Sequence, residues 1–170
     1  IEQKGFDGVY VSGAVMANSL GLPDIGMTTL TEVSQMAPSI AKVTSLPSIM
    51  DIDTGFGETM SVARTIKELT YLGMAGCHME DQVNPKRCGH LDNKELVSTD
   101  AMVQKIKAAV EAKDDENFIL IARTDARGVE GLDKALDRAK AYVDAGADMI
   151  FPEAMKDESE FEAFRKAVDV

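Results

Sequence analysis

One repeated unit constrains the fold of this chain more than any other feature: a helix ends at a glycine, and an apolar strand follows. The glycines are Gly5, Gly73 and Gly146, and each precedes an apolar run by a few residues. Glycine suits the residue after a helix because a positive φ costs it little. Helices and strands in alternation are typical of repeated βα units. The sequence therefore predicts an α/β fold built on a parallel sheet.

Five apolar runs are predicted to be the strands, and the amphipathic segments between them to be helices. Near-continuous apolar runs are typical of parallel strands, which are buried on both faces. The predicted strands are residues 8–12, 48–53, 76–80, 118–124 and 149–153. Four helices are predicted from apolar residues at helical spacing. Their apolar faces are Val62, Ile66 and Leu69; Met102, Val103, Ile106 and Val110; Leu132, Leu136, Ala139 and Val143; and Phe161, Phe164 and Val168.

Polar residues stand at the carboxyl end of every predicted strand. They are Ser12, Asp51, Asp53, Glu80, Asp81, Arg123, Asp125 and Glu153. In a (β/α)8 TIM-type barrel these ends converge on one mouth, where the chemistry takes place, whereas an open sheet would spread them along an edge. We therefore predict a partial barrel with about five of the eight strands. Residues 1–170 are expected to form a single barrel domain that lacks the first strand and the last two.

Composition and charge exclude several classes of protein. The 170 residues include 29 acidic and 18 basic side chains, a net charge of -11, which repels nucleic acid and anionic membranes. No apolar run approaches the roughly 20 residues that cross a bilayer. The two cysteines, Cys77 and Cys88, form no CxxC pair. This argues against a disulfide scaffold and a structural zinc site, and favours a reducing, cytoplasmic compartment.

Two aspartates in the stretch MDIDTGFG, residues 50–57, suggest a metal site. Asp51 and Asp53 are two residues apart on a predicted strand, so their side chains leave the same face and repel each other. A bound divalent cation relieves that repulsion. Oxygen ligands without a nearby His or Cys pair suit Mg²⁺ or Mn²⁺, with water completing the shell. The alternative is one solvated aspartate and one that caps a helix.

The stretch MEDQVNPKRCGH, residues 79–90, concentrates reactive groups in a predicted loop after the third strand. Glu80 ends that strand and can extend the metal site through water. The loop then supplies the cations Lys86 and Arg87, the thiol of Cys88, and the residues Gly89 and His90. An acidic protein needs local cations to hold a carboxylate-bearing substrate. Cations beside a thiol favour its use as an acid or base, and a glycine lets the backbone approach a ligand closely.

Each of these loop residues also has a structural interpretation. Lys86 and Arg87 could be a solvated surface pair, which contributes little to stability. Cys88 could be a small buried hydrophobic residue, and His90 a surface histidine. Taken together in one loop after a strand, the residues favour the functional interpretation.

Three residues on the predicted strands are interpreted separately. Cys77 is predicted to lie in the core, while His78 could face either the helices or the mouth and is not assigned. Arg123 is a candidate bidentate clamp for a substrate carboxylate. The alternative for Arg123, a salt bridge to Glu80 or Asp125, fits the pattern equally well.

These stretches together resemble the isocitrate lyase and phosphoenolpyruvate mutase superfamily, and the resemblance runs nearly from end to end. The stretches are GVYVSG (8–13), NSLGLPDIG (18–26), DIDTGFG (51–57), HMEDQVNPKRCGH (78–90), ARTDA (122–126) and VEGLDKALDRAKAYVDAGADMIFPEA (129–154). The most specific part is KRCGH, because the lyases of this superfamily carry the cysteine there and the mutase-type enzymes lack that signature.

The resemblance implies a reaction and its cofactor. The reaction is Mg²⁺-assisted retro-aldol cleavage of a tricarboxylate, in which 2-methylisocitrate would give pyruvate and succinate, a step of propionate catabolism in the methylcitrate cycle. Matching positions imply that Asp51 and Asp53 lie in the Mg²⁺ site, with Asp24 and Glu80 as water-mediated partners. The superfamily also implies a homo-oligomer, a tetramer in its relatives.

The resemblance also implies roles in substrate binding and catalysis. The implied substrate-binding residues are Ser12, Gly13, Ala14, Cys88, Gly89, Arg123 and Glu153; many relatives carry Gly where Ala14 stands. Cys88 matches the general acid that protonates the departing succinate carbanion. The residues implied to supply charge or assist are Lys86, Arg87, His90 and, from the opposite side, Tyr10.

The substrate has alternatives. Isocitrate lyases tend to carry a Trp near the position of Phe151 and large insertions between strands; this chain has no Trp and no such insertions. The cysteine loop argues against an oxaloacetate-cleaving relative. A catalytically silent barrel fragment is the alternative from a different class, because strands of the barrel are missing from these 170 residues.

Overall fold

The computed structural model describes residues 1–170 and contains a five-stranded parallel sheet. The strands are β1 (Val9–Val11), β2 (Ser48–Asp51), β3 (Gly76–Glu80), β4 (Ile119–Thr124) and β5 (Met149–Pro152). Every neighbouring pair in the sheet is parallel. The predicted α/β class is therefore confirmed.

The order of the strands distinguishes a barrel from an open sheet. Each strand pairs with the next one along the chain, in the order β1-β2-β3-β4-β5, and the order never reverses. Right-handed crossovers that advance in one direction place every connecting helix on the same face. A doubly wound sheet instead reverses its order and carries helices on both faces. The arrangement is that of part of a TIM-type barrel, as predicted.

Seven α-helices and one short 3₁₀ helix, Glu2–Lys4, accompany the strands. They are α1 (Gly13–Ser19), α2 (Leu30–Ala41), α3 (Thr59–Tyr71), α4 (Thr99–Glu111), α5 (Ala126–Val129), α6 (Leu132–Asp144) and α7 (Glu158–Ala167). The three punctuating glycines, Gly5, Gly73 and Gly146, have φ of 75°, 83° and 105°, which confirms their predicted place after helices. None of the helices combines the length and apolar character that a bilayer crossing requires.

One face of the sheet is completely buried beneath the helices. Met50, Cys77, Met79 and Leu120 are 0 % exposed. They form one cluster with the apolar faces of α3 and α4, and burying each such side chain contributes about 1.5–3 kcal/mol. The core position predicted for Cys77 is confirmed. Because this face is filled by apolar packing, the polar groups lie on the opposite face of the sheet and at the carboxyl ends of its strands.

β2 ends earlier than predicted. The strand stops at Asp51, because Asp53 has a φ of 49°, a left-handed conformation outside the range of a strand. The spacing of Asp51 and Asp53 therefore does not act through strand alternation. The chain turns sharply between them, and the turn itself brings the two carboxylates together.

The buried face of α6 is rotated from the predicted one. Leu132 and Leu136 are only half-buried. The buried residues of α6 are Ala135, Arg138, Ala139 and Tyr142. The two polar members of that set are buried because both bind Asp81, whose Oδ2 accepts from the Tyr142 hydroxyl at 2.8 Å and lies 3.5 Å from the Arg138 guanidinium.

α7 is fastened through an ion pair as well as through apolar packing. Phe164 is buried, as predicted, but Phe161 is 53 % exposed, which contradicts its predicted place on the apolar face. The reason is that Glu160, next to Phe161, faces α5, where its carboxylate accepts two hydrogen bonds from Arg127. Phe161 is thereby turned towards solvent.

Candidate active site

Polar side chains from three strands and an aromatic one from a fourth meet on the face of the sheet that the helices leave free. In the register, Asp51 of β2 is paired with His78 of β3, and Glu80 of β3 with Arg123 of β4. Arg123 is paired in turn with Phe151 of β5. Registered neighbours in a sheet project to the same face. We call these five residues the site face, and it lies at the carboxyl ends of the strands, where the sequence predicted the mouth.

Asp51 is held by two backbone N–H groups. Its Oδ2 accepts from the Gly13 N–H at 2.9 Å, and its Oδ1 accepts from the Asp53 N–H at 3.0 Å. Gly13 opens α1, and a Cβ there would lie 2.7 Å from Asp51 Oδ2 and 3.2 Å from Asp53 Oδ1. Only glycine therefore allows the start of α1 to approach both carboxylates. Ser12 precedes this turn as the N-cap of α1 without a side-chain capping bond, and Ala14 follows half-buried.

Lys86 lies between two carboxylates instead of facing solvent. Its Nζ donates to Asp24 and lies 2.9 Å from Asp53 Oδ1; Lys86 itself is 4 % exposed. Burial disfavours the ammonium, but the neighbouring carboxylates of Asp53 and Glu80 outweigh it and raise the pKa of Lys86. Burial also raises the pKa of Asp53. The surface-pair interpretation of Lys86 is therefore wrong.

Glu80 and Arg123 form the buried centre of the site face. Arg123 Nε lies 3.3 Å from Glu80 Oε2, and Arg123 also binds Asp125 through Nε at 3.1 Å and an amino group at 3.2 Å. Glu153 lies 3.6 Å from the same guanidinium. Neither oxygen of Glu80 accepts a hydrogen bond, and burial raises the pKa of Glu80 to about 8. Both salt bridges that the sequence left as an alternative for Arg123 are present.

Tyr10 and His78 form a stacked pair at the β1 side of the site. The Tyr10 hydroxyl oxygen lies 2.7 Å from His78 Nε2, and the two rings stack with centroids 5.5 Å apart. The other side of the imidazole faces Phe151 at 5.4 Å, and Nε2 is 3.5 Å from Asp51. Burial raises the pKa of Tyr10. His78, which the sequence left unassigned, belongs to the site; its place two residues before Glu80 on one strand was the available signal.

The loop that carries Cys88 lies against the site through its backbone. A Cβ at Gly89 would lie 2.6 Å from Arg123 and closer still to the Glu153 carboxylate. Cys88 is half-buried, with Sγ 3.9 Å from His90 Nδ1. Arg87 and His90 are exposed. Their side chains make no hydrogen bond or ion pair with the site face, so the structure separates them from the carboxylate cluster.

The carboxylate cluster offers oxygen ligands to a divalent cation. No three His, Cys, Asp or Glu side chains converge as a complete ligand set. However, neither oxygen of the buried Glu80 accepts a hydrogen bond, and Oε1 has no ion-pair partner either; Asp53 Oδ1 lies 2.9 Å from the Lys86 ammonium. Such oxygens are costly unless a cation or ordered water satisfies them. Mg²⁺ is usually bound through one or two protein carboxylates and keeps several water ligands, so the residues fit that ion.

Comparison with known proteins identifies the family. The family profile described as phosphoenolpyruvate phosphomutase matches residues 1–170. The chain is 64 % identical to a probable 2-methylisocitrate lyase 2 of Corynebacterium glutamicum, over the whole chain and 55 % of that protein. The chain thus spans about half the length of the curated relatives it matches.

Two solved structures extend the likeness to the fold. A 2,3-dimethylmalate lyase, described as a PEP mutase/isocitrate lyase superfamily member, matches with a TM-score of 0.95 and 38 % identity, over 99 % of this chain and 57 % of that one. A phosphonopyruvate hydrolase in complex with oxalate and Mg²⁺ matches with a TM-score of 0.86 and 35 % identity, over 97 % and 57 %. The chain belongs to the phosphoenolpyruvate phosphomutase family, within the superfamily that the sequence resemblance predicted.

Proposed function

We propose that this chain carries the active site of a carbon–carbon lyase that cleaves 2-methylisocitrate to pyruvate and succinate. The observation that carries the proposal is the pairing of two features at one mouth. The Glu80 carboxylate, whose buried oxygens accept no hydrogen bond, has Oε2 3.3 Å from Nε of the buried cation Arg123. The Cys88 loop contacts that cation through Gly89. The 64 % identity to a probable 2-methylisocitrate lyase supports the choice of reaction.

The oxo-acid end of the substrate would bind between Gly13 and Arg123. Arg123 presents a planar guanidinium that suits a carboxylate. Its partners Glu80, Asp125 and Glu153 hold it in place from three directions. Ser12, Gly13 and Ala14 form the turn whose backbone approaches Asp51, and this turn is the proposed floor of the site.

Asp51 and Asp53 would hold Mg²⁺, or Mn²⁺ in its place, and Asp24 and Glu80 would act through water. The support is the group of buried carboxylate oxygens described above, together with the Mg²⁺ complex of the structurally similar phosphonopyruvate hydrolase. When bound, the ion supplies Lewis acidity that stabilises negative charge on an oxo-acid oxygen. Lys86, which already lies between Asp24 and Asp53, would offset the remaining charge of the carboxylates.

Cleavage of a carbon–carbon bond next to a hydroxyl requires two proton movements. The hydroxyl proton passes to a base as the ketone of pyruvate forms, and the Glu80 carboxylate, whose oxygens accept no hydrogen bond, is the proposed acceptor. The succinate fragment, which departs as a carbanion, takes up a proton from an acid. Cys88 is the proposed donor of that second proton, and Arg87 and His90 beside it supply positive charge. Tyr10 is the proposed helper on the opposite side. Its raised pKa keeps the hydroxyl protonated, so it can donate to a developing anion.

The cellular setting follows the same resemblance. We propose a cytoplasmic homo-oligomer that acts on a small tricarboxylate in propionate catabolism. This proposal rests on the relatives and not on a contact in the structure.

A substrate panel tests the proposed reaction. Purified protein with Mg²⁺ is incubated separately with 2-methylisocitrate, isocitrate and oxaloacetate, and the 2-oxo acid that forms is identified. Equal amounts of pyruvate and succinate from 2-methylisocitrate, with much slower turnover of the other two, are expected. Glyoxylate from isocitrate at a higher rate would retain the chemistry and overturn the substrate. No product from any of the three would favour the silent fragment.

A further inference from the structure

The loop between β3 and α4 is joined to the sheet at a narrow neck. Gln82 and Leu96 form an antiparallel bridge, and the Val83 N–H donates to the Glu95 carbonyl at 2.8 Å. Residues 83–93, which we call the Cys88 loop, extend beyond this neck and contain no helix or strand. Their position over the site therefore depends on side-chain contacts.

The structure supplies a few such contacts on the two arms of the loop. The side chain of Gln82 binds the N–H and the carbonyl of Arg87, both at 2.9 Å, and Lys86 is paired with Asp24 and Asp53. These contacts hold the arm before Cys88. The arm after it is held by Lys94, whose Nζ donates to the Gly89 carbonyl.

Lys94 is an unusual lysine because it is buried. It is 8 % exposed, and its Nζ lies 3.1 Å from Asp125 Oδ1. A buried ammonium is costly unless a charge and hydrogen-bond acceptors compensate it. Asp125 supplies the charge and Gly89 the acceptor. Asp125 is itself fixed, since its N–H donates to Asp81 at 2.9 Å.

The same carboxylate connects Lys94 with Arg123. Asp125 Oδ1 accepts from an Arg123 amino group at 3.2 Å and lies 3.1 Å from Lys94 Nζ. Arg123 faces three carboxylates, those of Glu80, Asp125 and Glu153. Lys94 is thus the second cation of this group, and it lowers the negative charge that an anionic substrate would meet there.

We propose that Lys94 is a positioning residue that fastens the Cys88 loop to the Asp125–Arg123 pair. Its ammonium holds the Gly89 carbonyl, and with it the neighbouring Cys88, over the site. Without the ammonium, the buried Gly89 carbonyl loses its donor and Asp125 loses one of its two cations. The effect on turnover rests on the proposed lyase function, whereas the effect on the loop does not.

Lys94→Met tests this proposal, with Lys107→Met as a matched control on an exposed lysine of α4. Hydrogen–deuterium exchange of peptides from residues 83–93 is measured in each protein. Lys94→Met is expected to speed exchange there roughly ten-fold or more, the scale of one lost charge-assisted hydrogen bond. Lys107→Met is expected to match the wild type. Lys94→Gln keeps a donor without the charge, is expected to give an intermediate increase, and serves if the Met variant does not fold.

Steady-state kinetics with 2-methylisocitrate separate positioning from general stability. Lys94→Met is expected to lower kcat about ten-fold or more, with a smaller change in KM, because Cys88 acts in the transition state. Lys94→Arg, which keeps a cationic donor, is expected to restore most of the lost kcat.

Unchanged exchange in residues 83–93 of Lys94→Met would overturn the proposal. So would an increase that spreads evenly over all peptides, because that result would show a loss of global stability. If the wild type cleaves no tricarboxylate, the proposed function fails, and the exchange comparison still decides the role of Lys94.

Discussion

At the scale of single residues, the site depends on close approaches that only certain side chains permit. Gly13 lets the start of α1 reach the carboxylates of Asp51 and Asp53. Gly89 lets the Cys88 loop reach Arg123. Both glycines lie where a Cβ would collide with a charged group, which explains their presence through space and not through backbone conformation.

Gly13→Ala is expected to disable the site and leave the fold intact. The added Cβ would lie 2.7 Å from Asp51 Oδ2, so α1 or the carboxylate must move. A misplacement of about 1 Å at a reacting centre costs on the order of 100-fold in activity. The measurement is kcat/KM for 2-methylisocitrate together with Mg²⁺ affinity by calorimetry.

Val15→Ala is the control for this change, since Val15 is 66 % exposed on the same helix. It is expected to behave as the wild type. Wild-type Mg²⁺ affinity and turnover in Gly13→Ala would show that α1 does not support Asp51.

The sequence predicted the charged residues of the site better than the residues that contact them. Asp51, Glu80 and Arg123 follow apolar runs, and the pattern of strands alone places them at one edge. Lys94 and His78 could not be assigned, because a sequence does not show whether a lysine is buried or which face of a central strand is polar. Those two facts depend on tertiary contacts: Lys94 pairs with Asp125, and His78 lies against Tyr10 and Phe151.

At the scale of the elements, the carboxyl-terminal helix shows how charge replaces apolar packing. α7 buries one large apolar residue, Phe164, and fixes its first turn through Glu160. Glu160 accepts from Arg127 Nε at 2.8 Å and from the Lys156 N–H at 2.9 Å. These hydrogen bonds lower the pKa of Glu160 to about 2.

Glu160→Gln is expected to loosen α7 in a pH-dependent way. Because the pKa of Glu160 is lower in the folded protein than its usual 4.5, its contribution to stability is fully present above pH 4.5. The contribution declines as the pH falls towards 2, where the folded form also takes up the proton. The difference in free energy of unfolding between wild type and variant, measured by denaturant titration, should therefore be constant above pH 4.5 and shrink below it.

Glu162→Gln provides the matched comparison on the same helix. Glu162 pairs with Lys166 at 3.2 Å, but both side chains are largely exposed, and such pairs contribute little. No change with pH is expected for it. An equal effect of the two substitutions would contradict the role assigned to the Arg127–Glu160 pair.

The helices α1 and α2 were not predicted from the sequence. α1 is seven residues long and begins with Gly13 without a side-chain cap. α2 contains Pro38, which is uncommon inside a helix. A signal for α2 was present, because Thr29 and Glu32 form a capping box at its start. The long helices α3 and α4, with apolar residues at regular spacing, were predicted correctly.

At the scale of the whole molecule, the two faces of the sheet have different roles: one holds the apolar core and the other holds the candidate active site. The helix-covered face holds a core of 22 buried residues, whereas the site face holds buried charges that cost stability unless they are paired. Substitutions on the two sides should therefore have different consequences.

Ile66→Ala tests the covered face. Ile66 of α3 is 0 % exposed, and a cavity of this kind costs about 2–5 kcal/mol of unfolding free energy. Denaturant unfolding should show that loss, while kcat of the molecules that remain folded is unchanged. Tyr71→Ala, at a residue of α3 that is 86 % exposed, should stay within about 0.5 kcal/mol of the wild type. A comparable loss in both variants would contradict the assignment of the core.

The proposed lyase function requires one mouth to combine a metal site with a separate proton donor. To test it, the wild type is compared with Cys88→Ala in a pyruvate-release assay with Mg²⁺ and 2-methylisocitrate, alongside Mg²⁺ binding by calorimetry. We expect the wild type to release pyruvate until a chelator is added, and Cys88→Ala to bind Mg²⁺ like the wild type but release no pyruvate. Turnover by Cys88→Ala at the wild-type rate, or loss of its Mg²⁺ binding, would refute the separation of the two roles.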